Sequence, residues 1–157
     1  MEGDYGEMNK NVNLEQLKKD ATDIFTHGFA CSESVIYALR KNFEWDMSDD
    51  AIAMSTGFPW GLGGAGCICG ALAGGIMCIG YVYGRKQPGD PKNARCFALC
   101  NELHDFFTGA YGASCCRVLT RGYDRQSPER KAQCIKQVEG TVVKTAEILM
   151  REMAKDK

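Results

Sequence analysis

The sequence predicts a single all-α domain, an irregular bundle of about six helices, ordered over about residues 14–152 of the full 1–157 chain. Two observations carry this. Apolar residues recur at three- and four-residue spacing through most of the chain, and no run of period-two alternation lasts long enough to make a strand. Cap residues and proline then divide the periodic stretches into separate helices. At 157 residues, 45% hydrophobic, the chain is the size of one ordinary domain and can bury a core.

Each element follows from local chemistry. Asn13, with Gln16 three residues later, reads as a capping box for a helix over about 14–26. Leu14, Leu17, Ala21, Ile24 and Phe25 share one of its faces. A second helix runs from Cys31 to about Asn42. Ser48 starts a short third that ends at Gly57. A glycine-rich loop, GFPWGLGGAG, leads to an uncharged helix from about Cys67 to Gly84. Asp90-Pro91 opens a helix to about Ala110, and a short segment starts near Cys116. Ser127-Pro128 opens the last helix, where Ile135, Val138, Val142, Ala146, Leu149 and Met153 form one apolar stripe.

Charge is unevenly placed. Residues 1–50 hold 5 Lys/Arg and 11 Asp/Glu, residues 51–84 hold none, and residues 85–157 hold 14 and 9. The total of −1 and a pI of about 6.1 argue against nucleic-acid binding, which leaves a basic footprint. The uncharged stretch contains ten glycines and reads as a buried central helix, so no membrane span is expected. Its Gly70, Ala71, Gly74 and Gly75 would let other backbones or a bulky cofactor come close. The N-terminus, MEGDYGEMNK, lacks the basic and apolar regions of a secretory signal, so a cytoplasmic protein is expected. The run Arg117, Arg121, Arg125, Arg130, Lys131 reads as a solvated surface. Its alternatives are docking of an acidic redox partner or, given the acidic N-terminal third, pairing of the chain with itself.

Gly61 to Gly66 match G-x-G-x-x-G, yet no strand precedes them and no acidic residue stands about 20 positions on. That excludes a dinucleotide site and leaves backbone that wraps closely around something. There is no Ser/His/Asp set and no convincing carboxylate pair for hydrolysis. His27 and His104 read as ordinary surface or core residues.

Nine cysteines are the unusual feature. In a reducing compartment persistent disulfides are rare, and an odd count leaves one thiol unpaired, so metal binding or catalysis is the better reading. No C-x-x-C occurs, which removes the common zinc ribbon, the thioredoxin motif and covalent c-type haem. Cys31, Cys69 and Cys116 fall at helix starts, where the helix dipole is expected to lower thiol pKa and favour thiolate. Cys134 lies in line with Val138 and Val142 and should face inward. Cys67, through C-x-C, and Cys115, beside Cys116, are auxiliary candidates. So are Cys96 and Cys100, spaced i, i+4 with His104 a turn further on. Cys78, between Met77 and Ile79, reads as core packing.

Several segments resemble one family. Cys69-Gly70-Ala71-Leu72-Ala73-Gly74 is similar to the central motif of the redox-active proteins labelled by the pattern C-GCAxxG-C-C. CSESVIYAL resembles the family's first cysteine helix and matches Cys31. GASCCRVLT resembles the third element and matches Cys116 rather than Cys115. KAQCIKQVEGTVVKTAEIL resembles the last and matches Cys134. A similar module in split-Soret cytochromes accompanies an iron–sulfur cluster and sits in a dimer. The resemblance thus implies a cluster held by Cys31, Cys69, Cys116 and Cys134, and a homodimer. Gly64, Gly66 and Gly70 are the glycines expected to give such a cofactor room and backbone N–H groups. Electron transfer or redox sensing would be its role. The alternatives are a metal-free thiol–disulfide or peroxide-reducing protein using low-pKa cysteines, and a zinc-binding module.

Overall fold

A computed structural model describes residues 8–156. Five long helices make the bundle: α1 (Leu14–Thr26), α2 (Cys31–Phe43), α5 (Gly70–Tyr83), α6 (Lys92–Tyr111) and α8 (Pro128–Lys155). Three short ones, α3 (Asp49–Ser55), α4 (Pro59–Leu62) and α7 (Cys116–Leu119), sit in the connections. No strand occurs among the described residues.

The uncharged segment becomes α5, with ten of its fourteen residues buried, and it occupies the centre against α2, α6 and α8. Small residues set how close those neighbours come. A Cβ on Gly74 would lie 2.8 Å from the Ser32 carbonyl oxygen and 3.0 Å from Val35 Cβ, so α2 rests on bare backbone there. On the other side, a Cβ on Gly75 would meet Leu103 at 2.7 Å and Thr141 and Thr145 at 2.8 Å. Among the described residues, no helix is long and apolar enough to cross a membrane.

The cap signals mostly act as their chemistry requires. Asn13 accepts from the Gln16 N–H and Ser127 from the Arg130 N–H, while Ser48 accepts from the Asp50 N–H. At α6 the N-cap is Pro91 rather than the expected Asp90, so the helix starts one residue later, at Lys92, whose N–H donates to the Asp90 side chain. The expected capping box at Asn13 is only half made. The Gln16 side chain instead donates to Asp20, a buried carboxylate that also takes Lys41 and Asn42. That outward pull follows from need: a buried carboxylate must be fully partnered, whereas an N-cap amide can face water. The central helix starts at Gly70 rather than near Cys67, and Cys69 is its N-cap.

The glycine-rich loop is the irregular part. Trp60, Gly61, Leu62 and Gly63 all have positive φ, so α4 is a distorted turn, leaving seven helices of ordinary backbone among the described residues. Trp60 and Leu62 at φ near +60° are unusual for bulky residues, since their Cβ crowds the following carbonyl.

Candidate functional site

Two loop contacts and two helices converge on one cavity. The Cys69 N–H donates to the Ser114 carbonyl at 2.7 Å, and the Arg117 N–H donates to the Gly66 carbonyl at 3.0 Å. These bonds hold the start of α5 beside the start of α7, and so bring Cys69 near Cys116. Cys31, the first residue of α2, approaches from the other side. A Cβ on Gly70 would collide with its sulfur, so only glycine leaves that sulfur its place next to Cys69. Cys134 enters from α8. The result is a chamber of about 340 Å³ lined by all four cysteines, together with Gly70 and Gln137. Phe25, Phe29, Pro59 and Trp60 supply apolar wall, and Arg125, Arg130 and Lys131 supply positive charge. Among the described residues, no carboxylate lines it.

Burial favours the protonated form of three of these thiols. Burial, with a smaller push from Cys69 and Cys134, raises the Cys31 thiol from its ordinary 9.0 to about 12. Burial raises Cys69 to about 11 despite N–H groups of Leu72 and Ala71 directed at its sulfur. Burial also raises Cys134, partly offset by Arg130. This corrects, for Cys31 and Cys69, the expectation that helix starts lower the thiol pKa. The dipole is present, but removal from water outweighs it. Cys116 accepts from the Arg130 guanidinium at 3.6 Å.

Gln137 is the residue that cysteine counting misses. Its side chain is buried, and its Oε1 accepts from the Cys69 thiol at 3.7 Å. Its Nε2 has no hydrogen-bond partner among the described residues. A buried amide N–H without an acceptor costs about 1–3 kcal/mol, so this donor at the chamber wall calls for an acceptor there. Sequence offered one signal. Arg130, Cys134 and Gln137 follow one another at i, i+4 and i+7, and a glutamine inside an apolar stripe is out of pattern.

The remaining candidates are placed elsewhere. Gly64 and Gly66 line a second, outer cavity rather than the chamber. Cys67 is exposed, and Cys115 caps α7 and lines neither cavity. Cys96 and Cys100 lie together on α6 and line neither cavity. His104 is not gathered with them and pairs with Asp105. Cys78 is fully buried among apolar side chains. Among the described residues, no group of three or more Cys, His, Asp or Glu is spaced to hold a single metal ion.

Four of the nine cysteines of this all-helical domain, drawn from separate elements, line one cavity, as a cysteine-rich redox protein would require. The chain belongs to the family described as "Putative redox-active protein (C_GCAxxG_C_C)", whose profile matches residues 29–148. It is also similar to a protein of Archaeoglobus fulgidus described as "Uncharacterized protein". The two are 27% identical over 136 residues, covering 82% of this chain and 89% of that one. No solved structure matches it.

Proposed function

We propose that the chamber holds an iron–sulfur cluster through the thiolates of Cys31, Cys69, Cys116 and Cys134, and that the protein transfers single electrons or senses redox state. The observation that carries this reading is the opening of four cysteines, from α2, α5, α7 and α8, onto one cavity. Bound there, such a cluster would supply a one-electron couple, which thiols alone do not offer.

The residues present fit that group. Both common cluster types take four cysteine ligands. Four cysteines on one cavity supply that number. The unpartnered Gln137 Nε2 is a donor for a cluster or thiolate sulfur. Arg125, Arg130 and Lys131 at the wall offset negative charge in a cavity with no carboxylate of its own. Gly70 keeps the space beside Cys31 clear. The metal-free reading needs a low-pKa nucleophile, and burial moves Cys31, Cys69 and Cys134 the wrong way. A reducing cytoplasm, where the four thiols stay free for ligation, is the setting this reading requires.

Anaerobic reconstitution with ferrous iron and sulfide tests the proposal. Visible charge-transfer absorption with stoichiometric iron and sulfide is expected. Serine at any of the four positions should abolish or destabilise it, whereas Cys96→Ser and Cys100→Ser should not. A colourless, iron-free protein after reconstitution overturns the proposal.

A further inference from the structure

A second cavity of about 310 Å³ opens on the outer side of Cys116. Trp60, Gly64, Ala65, Gly66, Thr120 and Tyr123 line it, with the guanidinium side chains of Arg117, Arg125 and Arg130. No carboxylate lines it, and none of the three arginines pairs with one among the described residues. Arg117 donates to the Ala65 carbonyl at 3.3 Å, which fixes its side chain against the glycine loop. Arg125 and Arg130 lie over the Trp60 ring, 4.5 and 4.0 Å from its centroid. The left-handed backbone of Trp60, a conformation rare for a bulky residue, sets that ring at the cavity wall. Three guanidinium groups without counter-charge in one concavity repel each other. Holding them together makes physical sense where an anion completes the site.

We infer that this outer cavity binds a small molecule through an oxyanionic group, held by Arg117, Arg125 and Arg130 and seated against the Cys116 sulfur. Planar guanidinium forks match the paired oxygens of phosphate, sulfonate or carboxylate. Trp60 and Tyr123 offer aromatic surface to whatever carries that group. Trp60, Cys116, Arg125 and Arg130 line both cavities, so a ligand in the outer one touches the wall of the chamber. The inference stands on the arginines and holds whatever the chamber contains.

The test uses the full-length, metal-free protein with inorganic phosphate and phenyl phosphate as probes, read by calorimetry and by tryptophan fluorescence. Chloride at matched ionic strength is the reference. Saturable binding of either probe is expected, and the tighter of the two identifies a free or a carried anion. Arg117→Gln or Arg125→Gln should weaken it by about tenfold or more, the loss of one charge-assisted contact. Arg121→Gln, which removes the same charge outside the cavity, should change it little. The bound probe should also slow alkylation of Cys116 while leaving the exposed Cys67 unchanged. No saturable binding beyond chloride, or equal weakening by Arg121→Gln, overturns the inference.

Discussion

Cys31 and Cys69 show how position and depth act on one side chain. Each sits at a helix start, where the dipole favours the thiolate, yet each titrates well above 9.0 because burial costs the anion more. Metal ligation must displace these protons. Apparent affinity for iron should therefore rise with pH between 7 and 9, by about one logarithmic unit per pH unit for each thiol still protonated. Competition titration against a chelator measures the slope, and a flat profile would contradict the assignment. The helix-start positions were legible in the sequence because capping and proline signals mark where helices begin. The depth was not, since burial depends on neighbours far along the chain. Gln137 illustrates the same divide: its type is visible, but its unpartnered Nε2 appears only once α8 is laid against α5.

Among the elements, α5 depends most on small residues. Gly74 faces the Ser32 carbonyl and Val35, both on a packed helix with little freedom to yield. Gly74→Ala should destabilise the protein by about 1–3 kcal/mol through overpacking. Gly80 meets nothing within 4 Å, so Gly80→Ala should stabilise by roughly 0.5–1 kcal/mol. Denaturant unfolding of the pair checks both signs in one helix. The existence and order of the long helices could be read from apolar periodicity, and their ends from Ser127-Pro128 and Asp90. The half-made box at Asn13 could not, because the competing acceptor, Asp20, is buried by tertiary contacts. Nor could the left-handed run from Trp60 to Gly63. Local sequence marks a loop there, and only packing against α7 fixes its path.

Across the whole molecule, the buried thiols couple folding to proton binding. Unfolded, they titrate near 9.0; folded, Cys31 and Cys100 titrate near 12 and Cys69 near 11. Between these values the folded chain holds more protons than the unfolded one. Their stabilising contribution is thus complete below about pH 9 and is lost as pH climbs toward 12. Melting temperature of the metal-free protein should fall from pH 8 to pH 10, and less steeply in Cys31→Ser. An identical slope in that variant would remove Cys31 from the account. The sequence marked the basic run of residues 117–131 as a solvated face. Folding turns Arg117, Arg125 and Arg130 into the lining of a cavity beside Cys116, because the loop bond from Arg117 to Gly66 closes the two segments together.

The central claim is that four particular thiols act as one ligand set. It is tested most directly by mass-spectrometric footprinting of all nine cysteines, with and without anaerobic loading of iron and sulfide. Cys116 and Cys134 should become protected together on loading, while Cys67 and Cys115 alkylate as before, and Cys31→Ser or Cys69→Ser should remove that protection. Unchanged labelling of Cys116 and Cys134 in protein that has taken up iron would contradict it.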